Sequence, residues 1–594
     1  MDRIRKILND FTRLGRRWKL LTLRKIIYLP HTLSRQERKS LALFLGIALL
    51  AGGGLILRTY IRFTHPVPGI GGSYAEGMIG SPRVINPLSL SRDTDRDIAR
   101  LVFSGLLTYD GAGNIVPDIA ERYDISRDGK TYTVFLRKNA AWHDGKPLTA
   151  DDVVFTISRI QNPQYKSPAR VNWQGVEVQK IDEHAVRFTL RTPYAPFIEN
   201  LTQGIIPKHL WERIDPAQAA LHDLNMHPVG SGPYQFSRFK STSEGAVLWY
   251  ALTRNPHYYR EGPYLQTITF VFFTTEDEMI ASIHKGEIDG FGPISSGRAP
   301  DINPSQNLVF NIATPRIFSI FFNQRTAPIL ADHAVREAIA RAIDKNKITR
   351  EAAGGGAIVL DSILPPFQKA SASQAGEPAA PAYNQERSRA LLDTAGWRDT
   401  DGDGIRDKKI RDVKKKLVST PLHFTLTTGD SPDLARPAEQ IRAMLAAIGI
   451  SVDIRKSSFA ELEASVIRPR AFEILLFGQV SGYEPDPFAF WHSSQIRDPG
   501  LNIALFADKK ADRILEDARH TTDRAARNKK YQDFARIATR ALPTVPLYTQ
   551  LYLYLLPRDM QFTAGENAPF SRITLPADRF NEINRWYRVT RRAF

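Results

Sequence analysis

Between residues 131 and 159 the spacing of hydrophobic positions changes period. Residues 131–137, TYTVFLR, are β-branched and aromatic and read as a strand, and Asp128-Gly129 before them is a hairpin-turn signal. After Trp142-His143-Asp144-Gly145-Lys146-Pro147 the pattern turns helical. Thr149 and Asp152 form a capping box, and Val153, Phe155, Ile157 and Ile160 follow as a mostly apolar helix. Strand, Gly/Pro elbow and capped helix make one α/β unit. Residues 97–107 predict an amphipathic helix that ends at the turn Tyr109-Asp110-Gly111. A strand is predicted over 318–323, and one helix through Val335–Ile339 and Ala342–Lys345. Farther on, strands at 421–428 and 450–455 flank a helix at 436–448, a βαβ pattern that suggests a second α/β lobe. A helix at 385–395, a buried strand at 472–477 and an aliphatic-aromatic strand at 547–556 complete the pattern, while residues 370–384 read as a surface loop.

Near the N-terminus the pattern is apolar without period. Residues 40–57, SLALFLGIALLAGGGLIL, carry no charge and sit at the short end of a membrane-spanning helix. Charge gives this stretch a direction. Fourteen of the 80 Lys and Arg but only three of the 63 Asp and Glu fall within residues 1–62, so +11 of the net +17 is local. Twelve of those basic residues precede the apolar run, which predicts a cytoplasmic N-terminus and an extracytoplasmic bulk. A cleaved signal peptide fits less well, because its charged region would be unusually long and no A-x-A-like site follows. Residues 1–39 read as a basic cytoplasmic segment, with Ile4, Ile7, Leu8, Phe11 and Leu14 at helical spacing; an amphipathic helix on the inner leaflet and a disordered tail both stay open. Residues 58–75 read as a Pro/Gly-rich linker, and the basic residues 588–592 near the other end have no assigned use.

The length of 594 residues allows two or more domains, and 42% hydrophobic with 24% charged residues is ordinary for a globular protein. The absence of cysteine excludes disulfides, thiolate metal sites and a thiol nucleophile. No basic stripe interleaved with aromatics points to nucleic acid. No G-x-S-x-G, H-E-x-x-H or G-x-G-x-x-G stands at a strand–helix junction, and the 13 histidines are scattered. Gly129-Lys130-Thr131 imitates the end of a phosphate loop, but Asp124 stands where its first glycine is needed. No catalytic constellation is therefore read from these motifs.

The wording W-x-D-G-x-P-L-T-A-D-D-V, from Trp142 to Val153, resembles the segment that marks family 5 extracytoplasmic solute-binding proteins, the oligopeptide, dipeptide and nickel receptors of ABC importers. Further landmarks stand in the order of that family: Asn86-Pro87, Val229-Gly230-Ser231-Gly232-Pro233-Tyr234, Asn255-Pro256, Gly286-Glu287-Ile288-Asp289, Phe318–Asn323 and Val335-Arg336-Glu337-Ala338. The resemblance implies an α/β, two-lobed periplasmic-binding-protein-like fold of the class with a large split first lobe, here behind an N-terminal transmembrane helix. It implies lobe I at 76–314 plus 553–594 and lobe II at 315–552, with a peptide held between them and delivered to an ABC permease and its ATPase subunits by a monomer. A nickel chelate, haem or a sugar is the alternative ligand in the same fold. A membrane-bound hydrolase and a sensor ectodomain without transport are the readings of other classes.

In the resembling receptors the segment corresponding to residues 477–491 lines the cleft, its backbone pairs with an extended peptide, and an aspartate accepts the peptide's α-ammonium. This gives Gly478, Val480, Ser481, Tyr483, Glu484 and Asp486 as ligand-binding residues. Ser481 or Gly482 falls where the aspartate is expected, so Glu484 or Asp486 takes its role, or no free N-terminus is needed. Asp399, Asp401 and Asp403 with Gly404 imitate the start of a calcium loop, with Asp407 at the ninth position and Ile410 where the bidentate glutamate is expected. The family often carries a similar turn, which favours a structural role, and no cofactor is otherwise expected.

Overall fold

The computed structural model describes residues 34–313, 316–351, 356–364, 380–411, 416–480, 486–563, 573 and 575–593. They fall into two units: residues up to Pro68 with those from Thr590 onward, and Gly69–Val589.

In the first unit the helix Arg35–Phe63 buries none of its residues and contains an apolar window long enough to cross a membrane. Ser34 caps its start, with the Glu37 carboxylate accepting from the Ser34 N–H at 2.9 Å. At its other end Arg592 donates to the Ile61 and Thr64 carbonyls at 3.1 and 3.0 Å, where a cation meets the unsatisfied carbonyls of a helix terminus. The stretch expected as a linker holds the last turns of this helix, the strand His65–Gly69, and the start of Ser73–Ile79. The strand His65–Gly69 pairs with Val589–Ala593, which gives the basic end of the chain a structural use.

Gly69–Val589 is organised on a 12-stranded mixed sheet. One half runs Ser451–Ser457, His423–Gly429, Ile474–Val480 and Arg316–Phe322; the other runs Gly290–Ser295, Ser73–Ile79, Thr267–Phe273, Val247–Arg254 and Tyr234–Ser241. The strand Thr544–Pro557 joins them, pairing with Arg316–Phe322 through its first residues and with Gly290–Ser295 and Asn307–Ala313 through its last. Its residues are buried at both ends, but Gln550, Leu551 and Tyr552 in the middle are only half-buried. The hydrophobic clusters divide at the same place. Two draw on residues 74–312 and 553–586, the other two on 318–548, and among the described residues none draws on both. A separate four-stranded antiparallel sheet, Ala120–Ile125, Thr131–Leu136, Ala185–Thr189 and Glu177–Asp182, carries the predicted hairpin. The helix Ala150–Gln161 follows as expected, with the Asp152 carboxylate taking the Thr149 N–H at 2.9 Å and the Lys208 N–H at 2.9 Å.

Two helices differ from expectation. The amphipathic helix is Asp93–Val102, starting earlier because Asp93 and Asp95 fill its first turn, and Leu107–Tyr109 is instead a strand paired with Ile115–Pro117. The helix expected through Lys345 breaks at Ile343, which is extended, into His333–Ala342 and Lys345–Glu351.

A fully buried ionic cluster ties the end of the chain to its beginning. Arg579 donates to Glu76 Oε1 through Nε at 3.0 Å and through Nη2, and to Asp97 Oδ2 at 2.7 Å. Tyr74 and Tyr554 donate to the other Glu76 oxygen at 2.7 and 2.9 Å. One cation thus faces two carboxylates. Burial, against the pull of Arg579 and with the push of Glu76 and Asp93, raises the Asp97 carboxyl from 3.8 to about 6. The folded state therefore holds this proton more tightly than the unfolded chain does, and stability falls as pH rises from about 4 to about 6. Asp97→Asn is expected to remove that component, on the order of 2 kcal/mol, measured as the difference between wild-type and variant urea midpoints at pH 4.5 and 7. Parallel pH profiles for the two proteins would contradict it.

Candidate functional site

The strand Ile474–Val480 is apolar at its start and opens toward its end: Leu475 and Leu476 are fully buried, whereas Val480 is 42% exposed. On one flank Arg316–Phe322 pairs with it throughout, Arg316 opposite Val480 and Phe318 opposite Gly478. On the other flank His423–Gly429 reaches only to Leu476. Residues 477–480 thus extend past that neighbour and present a backbone edge of the kind an extended chain can join.

Gly478 is a packing requirement. A Cβ there would lie 3.0 Å from the Phe318 ring and 3.4 Å from Arg316 Cγ, so both side chains lie across the bare backbone. Phe318 stacks on Tyr548 with centroids 5.0 Å apart, and the Tyr548 hydroxyl donates to the Asp433 carbonyl at 3.1 Å. Arg316 Nη1 donates to the Tyr552 hydroxyl at 3.2 Å. Burial pushes the Tyr552 phenol up; Arg316 opposes this, and the carboxylates of Asp433 and Asp93 add to it. Asp93 opens the helix Asp93–Val102 and Asp433 stands in the first turn of Pro432–Ala446, so elements from both core groups converge on the middle of the joining strand.

Ser481, Tyr483 and Glu484 lie outside the described residues. Asp486 is described, and its carboxylate is engaged: Oδ2 accepts from Arg519 Nε at 2.8 Å and Nη2 at 2.5 Å, and Oδ1 accepts from the Phe488 N–H at 3.2 Å. Arg519 Cζ lies 3.6 Å from the Phe488 ring centroid, and Tyr194, packed against the other core group, donates to Asp486 at 3.4 Å. Arg524 adds a second bridge between the groups, to Asn114 at 3.1 Å. Sequence reading missed Arg519 and Tyr194, which stand 33 and 292 residues from Asp486 with no local pattern linking them. Beside these bridges is a cavity of about 320 Å³ lined by Tyr109, Tyr123, Tyr132, Glu199, Arg524 and Arg527 among others. A cavity of about 390 Å³ lies wholly within the first group, where Arg100 pairs with Asp578 and Arg260 with Asp118.

Asp399, Asp401 and Asp403 come together, their ligand atoms within 4.8 Å of one another. Asp399 accepts from the Gly402 and Gly404 amides at 2.7 and 3.0 Å, and Asp403 from the Ile405 amide at 2.7 Å. Asp407 is drawn away by Ser419 and Thr400, whose hydrogen bonds hold its carboxyl below the usual range. These carboxylates accept the amides of their own turn.

A sequence model of the bacterial extracellular solute-binding proteins, family 5, matches residues 114–498. The oligopeptide-binding protein AppA of Bacillus subtilis is 28% identical over 501 residues, covering 83% of this chain and 89% of the relative. The dipeptide-binding protein of Escherichia coli is 26% identical over 480 residues, 76% of this chain and 84% of the relative. The structure of B. subtilis AppA in complex with a nonapeptide superposes with a TM-score of 0.66 at 26% identity, covering 88% of this chain and 99% of that one. Campylobacter jejuni NikZ in complex with Ni(L-His) shares the fold with a TM-score of 0.66 at 24% identity, over 87% and 99% of the two chains.

Proposed function

Because the chain belongs to the family 5 bacterial extracellular solute-binding proteins, whose two-lobed α/β fold it has, we propose that it captures peptides between its lobes for an ABC importer. The observation that carries this reading is the likeness to AppA along most of both chains, in sequence and in a fold known to hold a nonapeptide. Lobe I is residues 76–314 with 553–594, and lobe II is 315–552. The division of the hydrophobic clusters and the half-buried stretch at 550–552 support crossings near 315–322 and near 547–553, where hinge bending closes the lobes. The free edge at 477–480 receives the peptide backbone. The apolar helix holds the protein in the cell membrane as a single pass with its N-terminus cytoplasmic, and the liganded lobes dock on a permease whose separate ATPase subunits supply the energy. The family is one of binding proteins, and this chain performs no chemistry of its own.

Thermal melts of the full chain in detergent micelles test this. A ligand that binds only the folded state at 100 times its Kd adds about 2.7 kcal/mol. A mixed pool of di- to decapeptides is expected to raise the midpoint, and nickel–histidine, haem and sugars are expected to leave it in place. The reverse pattern would keep the fold and remove peptides from it.

A further inference from the structure

Arginine guanidinium groups carry five N–H donors, and removing them from water is tolerable only where acceptors meet them. Elsewhere in this protein they are met. Arg336 donates to the carbonyls of Leu330, Ala331, Ala541 and Leu542, Arg470 to those of Ile467, Ile496 and Gly500, and Arg519 to Asp486. Arg316 is the exception at the cleft. It is half-buried, yet among the described residues its one polar partner is the Tyr552 hydroxyl at 3.2 Å, and no carboxylate comes within ion-pair distance. Tyr552 accepts that bond, and its own O–H has no acceptor among the described residues. Two neighbouring side chains thus hold unspent donors at one point. That point is the first residue of Arg316–Phe322, facing the open end of Ile474–Val480 and beside the stretch where the chain passes between the core groups.

We infer that Arg316 and Tyr552 form a carboxylate-recognition subsite of the cleft, an inference that rests on the peptide reading. A planar guanidinium matches a carboxylate in two-point contact, and a phenol O–H beside it supplies a third donor. Gly478 keeps the subsite open, since any side chain there would meet the Arg316 stem.

The test uses the full chain in micelles and three nonapeptides of alternating Ala and Ser: one with free ends, one amidated at the C-terminus, and one amidated with a central Glu. Wild type is expected to prefer a carboxylate-bearing peptide over the amide by roughly 10- to 100-fold, the range of a hydrogen bond to a charged group. Arg316→Met is expected to erase that preference, Arg316→Lys to retain part of it, and Tyr552→Phe to reduce it several-fold. Preference for the free C-terminus assigns the α-carboxylate to the subsite; preference for the Glu peptide assigns a side chain. Wild type that binds all three equally overturns the inference and leaves the peptide reading intact. A preference that survives Arg316→Met overturns it too, and the wild-type ratio needs no variant to fold. Absence of binding by all three peptides removes the inference together with the reading beneath it.

Discussion

Replacing Arg579 by methionine is expected to destabilise the protein by about 3–5 kcal/mol, the cost of leaving buried charge without its partner. Arg579, Glu76 and Asp97 are at most 1% exposed, and among the described residues the guanidinium is the one cation paired with both carboxylates. Among the described residues, removing it leaves Glu76 with the Tyr74 and Tyr554 hydroxyls and Asp97 without a side-chain partner. Protonation would spare part of the loss, so the deficit is expected to shrink as pH falls toward 5. Urea unfolding of the full chain in micelles, followed by tryptophan fluorescence at pH 7, measures it. The combined change Arg579→Met, Glu76→Gln, Asp97→Asn should recover a large share, because a neutral cluster carries no desolvation penalty of that size. A loss below about 1 kcal/mol for Arg579→Met would mean that water reaches the cluster.

The second large effect is at Gly230, where alanine is expected to cost at least the 1–3 kcal/mol of core overpacking. An added Cβ would lie 1.9 Å from the Val102 carbonyl oxygen, and one at Gly232 would lie 2.4 Å from the Leu101 oxygen. These are backbone atoms at the end of Asp93–Val102 and have no rotamer through which to yield. The neighbouring His143 tightens the contact: its Nδ1 accepts from the Gly230 N–H at 3.1 Å and its Nε2 is 3.1 Å from the Gly232 carbonyl. Burial holds this imidazole at about 4, hence neutral, as those two roles require. Thermal midpoints of Gly230→Ala and, as a control, Gly245→Ala would compare a blocked position with one that has open space around it. Gly245 has a positive φ of 84°, so the control includes a backbone penalty of its own, and Gly230→Ala must exceed it.

These two sites show what a sequence yields to physical reading. The strand, turn and capped helix of residues 131–161 were legible because turn chemistry, period and capping are local and agree with one another. The Gly230–Gly232 and Trp142–Pro147 motifs were visible as words, but their reason is mutual contact through His143, which is tertiary. The ionic cluster joins residues 76, 97 and 579, and no spacing rule connects positions up to 503 residues apart. The end of the helix Asp93–Val102 was misplaced because Leu106 and Leu107 continue its apolar run, while Leu107 already opens a strand. For the cleft, the resemblance gave Gly478 and Val480 as expected ligand contacts and offered Glu484 or Asp486 as an ammonium anchor. Asp486 is paired with Arg519, a partner 33 residues away that no local pattern in the sequence reveals.

The most direct test of peptide capture is the mass of the intact complex. The full chain would be incubated with the di- to decapeptide pool, with nickel–histidine and haem in parallel, and released from micelles for native mass spectrometry. One peptide per chain is expected, with no stable adduct of the other two ligands. A chain that stays bare with every peptide, or that takes up the chelate or haem instead, would contradict it.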